Sequence, residues 1–216
     1  MRRSIEEAIT ALAAGKVILV ADDEDRENEG DFIVAAEAAT PEVVNFLATE
    51  GRGLICAALP PDRAERLALE VFRPRTGPAP LHGTAFTESV DFIHGTSTGI
   101  SAGDRSATLK ALAATSAGPL DFARPGHVFP LIAAAGGVLE RRGHTEATMD
   151  LCRLAGLSGV GVLCEVLKVD GSMARLPDLE VLAERWDLIL VTVEQLVRWR
   201  TEHEKESNKK QRGVTE

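Results

Sequence analysis

The sequence lacks tyrosine altogether, and aromatic residues make up only 4% of its 216 residues. Without tyrosine, no phenol is available as an acid, a base or a nucleophile. Cysteine is scarce as well: Cys56, Cys152 and Cys164 are odd in number and do not show the spacing of a metal site. We therefore expect reduced thiols, as in cytosolic proteins, rather than a framework of disulfides.

Positive charge and long apolar runs are also in short supply. The formal net charge is −9, which argues against nucleic acid or an anionic membrane surface as the main partner. No apolar run reaches the length of a transmembrane helix. The charged start MRRSIEEAITALAAG lacks the apolar segment of a secretory signal. We therefore expect a cytoplasmic protein that binds neither nucleic acid nor a membrane.

The chain does have enough apolar residues for a sizeable core, 44% of the total. Its length suits a single domain. Strand and helix patterns alternate irregularly, which favours a layered α/β (α+β) fold with a mixed sheet over a regular doubly wound fold. We expect this domain to span residues 1–205, followed by a disordered polar tail over residues 206–216.

Four segment boundaries bear on the later description. Alternating apolar and polar residues predict a strand over 85–93, whereas the stretch 121–130, with its Pro-Gly pair, is expected to be irregular. Helical spacing of apolar residues predicts a helix over 106–115 and a last helix over 193–204.

The densest cluster of charge is the stretch DDEDRENEGD at residues 22–31, which has seven carboxylates and one arginine. Both flanks have the pattern of buried strands, so the acids repel one another next to the core. A hard divalent cation such as Mg²⁺ or Mn²⁺ would relieve that repulsion. In an extended chain Glu27, Glu29 and Asp31 share one face, and Arg26 points the other way unless the loop bends. An exposed acidic turn without an ion is the alternative.

A second motif, RRGHT at residues 141–145, precedes a predicted helix. Arg141 and Arg142 before a helix N-terminus are a plausible clamp for an anion. His144 is a candidate metal ligand that would complete the carboxylate set. The alternative is that the arginines are solvated and that His144 only caps the helix.

Three weaker signals lie elsewhere. The Gly-, Ser- and Thr-rich loop at 95–108 offers backbone N–H groups to a phosphate, although an ordinary capping loop explains it equally well. His127 follows a Pro-Gly turn and is either a functional or a core histidine. Glu165 interrupts an apolar strand, where a carboxylate is paired, metal-bound or used for proton transfer. The alternative is an acid at a strand end on the edge of the sheet. Cys56 has the pattern of a small buried apolar residue.

Together these signals suit a phosphorylated, hydroxyl-rich substrate held by Mg²⁺. Such a site can carry out an enolisation, because the metal polarises a carbonyl group while a carboxylate or a histidine moves protons. The residues alone do not choose among reactions of this class.

Five segments then resemble those of a known family in order and spacing: DDEDRENEGDFIVAAE, TSTGISAGDRSATLKAL, RPGHVFPL, RRGHTEATMDLCRLAGL and GVLCEV. They resemble 3,4-dihydroxy-2-butanone 4-phosphate synthase, the enzyme of riboflavin biosynthesis that converts D-ribulose 5-phosphate to L-3,4-dihydroxy-2-butanone 4-phosphate and formate. The resemblance covers about residues 4–200. It implies a lyase with a three-layer α/β/α sandwich, a homodimer, and Mg²⁺ (or Mn²⁺) as cofactor.

The resemblance also implies roles for the matching positions. His127 and Glu165 would be catalytic, and Glu27 and His144 would bind the metal. The implied substrate-binding residues are Arg26, Glu27, Asp31, Arg141, Arg142, Gly143, His144, Thr145 and Glu165.

Two other functions stay open from the residues alone. One is a different Mg²⁺-dependent sugar-phosphate isomerase or aldolase, and the other is a non-catalytic sensor of a ligand or a cation. Formate release from ribulose 5-phosphate discriminates the synthase from both.

Overall fold

The computed structural model describes residues 3–213 apart from residues 24, 74–75, 79 and 81, and it describes side chains as far as residue 205. The helices are α1 (Ile5–Ala13), α2 (Pro41–Phe46), α3 (Pro61–Arg66), α4 (Ala102–Ala113), α5 (His144–Leu154), α6 (Leu176–Trp186) and α7 (Val193–Gly213). The strands are β1 (Ile18–Ala21), β2 (Gly30–Ala35), β3 (Cys56–Leu59), β4 (Val90–Phe92), β5 (Phe122–Ile132), β6 (Gly161–Glu165) and β7 (Leu190–Thr192).

The strands form one seven-stranded sheet in the order β4-β5-β3-β6-β2-β1-β7. The pairs β1–β7 and β3–β5 are parallel, and the other neighbours are antiparallel. The sheet is therefore mixed, as the irregular alternation of elements predicts. Its centre is β3, β6 and β2, so the strand that ends at Glu165 lies between two partners rather than at an edge.

The two faces of the sheet are covered by different helices. Alternate strand residues such as Ile18, Ile33 and Leu163 pack against α1, α5 and α7. The intervening residues, such as Phe32 and Cys164, pack against α2, α4 and α6. This arrangement confirms a single-domain three-layer α/β/α sandwich, because a strand buried on both faces must alternate its side chains between two cores.

The two helices near the site begin differently. Ser101 accepts a hydrogen bond from the backbone N–H of Asp104 at 3.0 Å, so α4 begins at Ala102 rather than at residue 106 as predicted. By contrast, Gly143 precedes α5 without any side-chain cap. The first N–H groups of α5 are thus left for other partners.

Other segment predictions were wrong. Residues 121–130 are not irregular, because Phe122–Ile132 pairs with β3 on one side and with β4 on the other. The Pro-Gly pair lies where the β4–β5 register shifts, so it interrupts one ladder without ending the strand. The strand predicted over 85–93 is reduced to Val90–Phe92, with an isolated bridge at Phe86.

The last helix continues to Gly213, past the predicted end at residue 204. The disordered tail expected over 206–216 stays a prediction, and residues 214–216 lie outside the described part of the chain. Within the residues that the structure describes, no helix is both long and apolar enough to cross a membrane.

Candidate active site

The acidic stretch forms the connection between β1 and β2, and it bends sharply. The backbone N–H of Asp22 donates to the carbonyl of Glu29 at 2.9 Å, and Asn28 has a left-handed φ of 53°. Because the chain turns here, Asp31 is the only one of the acids Glu27, Glu29 and Asp31 that lies on β2. The face that Glu27, Glu29 and Asp31 would share in an extended chain does not form.

Arg26 folds back onto its own loop. Its guanidinium contacts the Asp22 carboxylate and forms two hydrogen bonds to Glu27, at 2.7 and 3.1 Å. From the start of α6, Arg175 donates to the carbonyl oxygens of Glu27, at 2.8 Å, and Asn28. The loop is thus held by two arginines, one inside it and one about 150 residues away in the sequence.

His144 is the first residue of α5 and is only 6% exposed. Its Nε2 lies 3.2 Å from the carbonyl oxygen of Val20, an acceptor that requires Nε2 to carry the proton. The other nitrogen, Nδ1, lies 3.9 Å from both Glu27 Oε2 and Asp31 Oδ1. The carbonyl of β1 therefore orients the ring so that Nδ1 faces the acids, as in histidines that bind metals.

Asp22, Glu27 and His144 each offer one ligand atom, and these atoms lie within 4.8 Å of one another. Two carboxylates and an imidazole fit a divalent cation such as Mg²⁺ or Mn²⁺. Next to them, Asp31 Oδ1 is buried without a hydrogen-bond partner among the described residues. An orphaned buried carboxylate oxygen is costly unless a ligand satisfies it, so the residues present fit a bound cation with its ligands.

The charges of this cluster shift the pKa values of its members in different directions. Interaction with His144, across a gap too long for a hydrogen bond, and with Arg26 lowers the pKa of Glu27 to about 2. Burial raises the pKa of Asp31 to about 7, helped by Glu165 and opposed by His144. Burial lowers the pKa of His144, but Asp31 and Glu27 outweigh it and raise that pKa to about 9. Without metal, Asp31 is therefore the member of the cluster that titrates near neutral pH, while Glu27 is ionised and His144 is protonated there.

Asp31 and Glu165 are paired in register on β2 and β6, and Val20 continues the row on β1. Side chains paired in this way lie on the same face of a sheet. That face is the one covered by α1, α5 and α7, because Ile33 and Leu163, two residues away, pack there. Glu165 Oε2 accepts the backbone N–H of Leu54 at 2.7 Å, which fixes the carboxylate beside the row.

The RRGHT motif divides into buried and exposed residues. Arg141 forms a 2.6 Å ion pair with the buried Glu146 and donates to the carbonyl of His82 at 3.0 Å. A Cβ on Gly143 would overlap the Arg141 guanidinium, so this ion pair packs closely against the Gly143 backbone. Arg142 is exposed, and Thr145 is buried at 5% exposure in the first turn of α5. Among the described contacts Arg141 already has a carboxylate partner, whereas Arg142 is in no ion pair.

His127 lies on β5 and contacts Asp91 of β4 rather than the acidic cluster. Its Nδ1 is 2.7 Å from Asp91 Oδ2. In the sheet, β5 is separated by β3 from β6, the strand that carries Glu165. The structure thus brings Arg26, Glu27, Asp31, His144 and Glu165 together and leaves His127 on β5, two strands away from Glu165.

Sequence reasoning missed Asp22, Asp91, Asp104 and Arg175. Asp104 accepts hydrogen bonds from the backbone N–H groups of Ser97 and Gly99, at 3.1 Å each, and from the Ser97 hydroxyl at 2.8 Å. An acid in the first turn of α4, next to a Ser- and Gly-rich loop, was a usable signal for this anchor. The partners of Asp91 and Arg175 come from distant segments, and no local signal predicts them.

The family model of 3,4-dihydroxy-2-butanone 4-phosphate synthase matches residues 6–199. This chain belongs to that family. The matched region of the synthase family runs from α1 into α7 and includes every candidate residue described above.

Relatives and solved structures agree with this assignment. The riboflavin biosynthesis protein RibBA of Aquifex aeolicus is 52% identical over 204 residues, which cover 93% of this chain and 50% of the relative. The 3,4-dihydroxy-2-butanone 4-phosphate synthase of Agrobacterium fabrum is 51% identical over 195 residues, which cover 90% of this chain and 91% of the relative. The chain therefore spans about half the length of the RibBA relatives and nearly all of the Agrobacterium synthase.

A solved 3,4-dihydroxy-2-butanone 4-phosphate synthase in complex with two magnesium ions has the same fold. It superposes with a TM-score of 0.88 at 43% identity, covering 94% of this chain and 98% of that one. Magnesium is thus bound by a homologous synthase.

Proposed function

We propose that this chain catalyses the conversion of D-ribulose 5-phosphate to L-3,4-dihydroxy-2-butanone 4-phosphate and formate, a lyase step of riboflavin biosynthesis. The observation that carries the proposal is the convergence of Asp22, Glu27 and His144 within 4.8 Å, next to the unpaired oxygen of Asp31. Membership of the synthase family gives this cluster its reaction.

Glu27 and His144 are the proposed ligands of Mg²⁺ (or Mn²⁺), and the geometry adds Asp22 as a candidate third. A bound ion would polarise the substrate carbonyl and stabilise negative charge on adjacent oxygens. For the ion to bind, Nδ1 of His144 must lose its proton, and Arg26 must give up part of its contact with Glu27. Arg26 then becomes available to the anionic substrate, which is the role proposed for it.

The substrate is proposed to lie between the acidic loop and the start of α5. Arg142 is exposed and its charge is uncommitted among the described contacts, and the uncapped N–H groups of His144 and Thr145 favour a phosphate. Arg141 and Gly143 are proposed to support the start of α5, because the Arg141–Glu146 ion pair packs against the Cα of Gly143. Asp31 is proposed to contact a substrate hydroxyl through its unpaired oxygen.

Proton transfer is proposed for Glu165 and His127. Glu165 stands opposite Asp31, and its Oε2 accepts the Leu54 N–H. Its other oxygen has no hydrogen bond among the described residues and is proposed to face a bound sugar. His127 lies on β5, two strands away from Glu165 in the sheet. The two groups would then act at different carbons of the same molecule.

Three further properties are proposed on the family resemblance. The synthase domain is proposed to comprise residues 1–205, to form a homodimer and to act in the cytoplasm. Exposed apolar residues such as Ile93, Ile100 and Leu120 are compatible with a subunit contact.

One assay tests the proposed activity. The purified protein is incubated with ribulose 5-phosphate and Mg²⁺, and formate is measured by a coupled dehydrogenase. We expect stoichiometric formate that stops in excess EDTA and that a His144→Ala variant purified in parallel does not produce. Absence of formate from the wild-type protein, or formate that persists in excess EDTA, overturns the proposal.

A further inference from the structure

The carboxylate of Asp91 contacts both the backbone and the ring of His127. Oδ1 accepts the backbone N–H of His127 at 2.8 Å, and Oδ2 lies 2.7 Å from the ring Nδ1. An acceptor oxygen at that distance requires the proton to be on Nδ1. In the neutral ring Nε2 then keeps its lone pair.

The backbone is built to make this contact. Val90 pairs with Val128, but the next residue, Asp91, pairs with Ala123, so four residues of β5 bulge out of the ladder. A Cβ on Gly126 would overlap the backbone of Val90 and Asp91, so the close crossing requires glycine. The Gly126 N–H also donates to the Ser89 hydroxyl at 3.1 Å. The bulge therefore places His127 in contact with the carboxylate of Asp91.

A second segment covers the pair. Gly99 has a φ of +90°, and a Cβ there would overlap Asp91 Oδ2 and lie 2.6 Å from His127 Nδ1. Asp104 holds this loop by accepting the N–H groups of Ser97 and Gly99. Only 15% of the Asp91 side chain remains exposed, against 43% of the His127 side chain. The carboxylate is thus enclosed while the ring stays accessible.

We propose that Asp91 is a positioning residue that fixes the orientation and the tautomer of His127, so that its Nε2 is the nitrogen presented to substrate. This inference rests on the proposed function, in which His127 transfers a proton. A carboxylate that binds both the backbone and the ring leaves His127 little rotational freedom. It also stabilises the imidazolium while the ring holds a proton, without entering the reaction itself.

Ring ¹⁵N NMR tests the tautomer directly, without activity. In the metal-free wild-type protein at mildly alkaline pH, we expect His127 to carry its proton on Nδ1. In Asp91→Asn the amide N–H₂ can donate to Nδ1, so the proton should move to Nε2. The matched control is Asp121→Asn, which alters the other Asp–His pair, where His94 Nε2 lies 2.8 Å from Asp121. An unchanged His127 tautomer in Asp91→Asn overturns the proposal.

Kinetics separate positioning from simple bracing of β4 against β5. We expect Asp91→Asn to lower kcat about 10²-fold or more with little change in KM, on the scale of a lost acid–base group. In a double-mutant cycle, Asp91→Asn should cost nothing further once His127→Ala is present, because both act as one unit. Full additivity of the two kcat effects overturns the proposal. Circular dichroism melting identifies variants that fail to fold, and in that case Asp91→Glu replaces Asp91→Asn in both measurements.

The two proposals fail in different ways. If the wild-type protein releases no formate, the proposed function fails, and the NMR result alone still decides whether Asp91 sets the tautomer of His127. If formate is released but Asp91→Asn keeps full kcat and the wild-type tautomer, only the positioning role of Asp91 is wrong.

Discussion

Asp31 and Glu165 stand directly opposite each other on β2 and β6, on the face of the sheet that α5 covers. Two carboxylates that are paired on neighbouring strands repel each other unless a proton or a cation lies between them. The buried His144 lies close to this pair. This pair links the acidic loop, where the metal ligands are proposed, to the central strand that carries the proposed proton-transfer group.

We first predict that Glu165→Gln lowers kcat about 10²-fold or more, as for loss of a general acid or base. Glutamine keeps an oxygen for the Leu54 N–H, so the melting temperature should change little. Formate release under saturating substrate gives kcat. The control is Glu202→Gln on the exposed side of α7, which should retain full activity. Undiminished turnover in Glu165→Gln would remove Glu165 from the mechanism.

A second prediction concerns the ligand that the sequence did not reveal. Asp22→Asn should weaken Mg²⁺ binding about 10-fold or more, a loss typical of altered metal-site partners. The reason is that the buried Asp22 carboxylate lies within reach of Glu27 and His144. Isothermal titration calorimetry measures the affinity.

Asp25→Asn is the matched control for this variant. Asp25 lies in the same loop and its replacement removes the same charge, but the residue is exposed. If both variants lose the same affinity, then only the net charge of the loop matters and Asp22 is not a ligand.

Much of the fold and part of the site follow from local sequence patterns. Apolar alternation predicts the strands of the layered sheet, and capping residues predict where helices begin. Glu165 stands out as an acid in an apolar strand, because a buried carboxylate is costly unless it is paired or bound. Glu27 and His144 stand out because hard-metal ligands near arginines suggest a phosphorylated substrate. Their roles came from the family resemblance, since spacing alone does not assign them.

The contacts that shape the site depend on distant residues. The acidic loop bends because Asn28 adopts a left-handed conformation and because Arg175 holds the loop carbonyls from α6. The Asp91–His127 contact depends on a register shift between β4 and β5. Local propensity contains neither the partner strand nor its register, so these features appear only when the chain is folded.

A third prediction uses the pH dependence of stability without metal. An aspartate in an unfolded chain has a pKa of about 3.9, whereas burial raises the pKa of Asp31 to about 7. Between these values the folded protein binds more protons than the unfolded chain, so this group lowers stability as pH rises from about 4 to about 7. Above pH 7 the full penalty applies.

Asp31→Asn removes that penalty. In EDTA, its melting temperature should therefore exceed that of the wild-type protein by a margin that grows between about pH 4 and about pH 7. The underlying free energy is on the order of 1–4 kcal/mol. Differential scanning calorimetry across this range measures the margin, and a margin that is constant or shrinks would contradict a raised pKa at Asp31. The same variant should be inactive, because it removes a proposed substrate contact.

The fourth prediction tests how tightly the backbone approaches Glu165. A Cβ on Gly53 would overlap the Glu165 carbonyl oxygen and lie 2.7 Å from Oε2 and 2.8 Å from the backbone nitrogen of the same residue. These backbone atoms belong to a central strand and cannot move aside cheaply. Gly53→Ala should therefore lose about 1–3 kcal/mol of unfolding free energy, the usual cost of overpacking.

Gly103→Ala is the contrasting glycine substitution. Gly103 lies in the first turn of α4, where the nearest atom to an added Cβ is the Ser101 hydroxyl at 3.7 Å. Alanine should there stabilise the protein by up to about 1 kcal/mol, because it restricts the unfolded chain and favours helix. Urea unfolding followed by circular dichroism measures the stability of both variants.

The same two variants also differ in their expected activity. Because Gly53→Ala displaces the Glu165 carboxylate, its kcat should fall, while the kcat of Gly103→Ala should stay unchanged. Equal kcat values would mean that the Gly53 contact does not hold Glu165 in place.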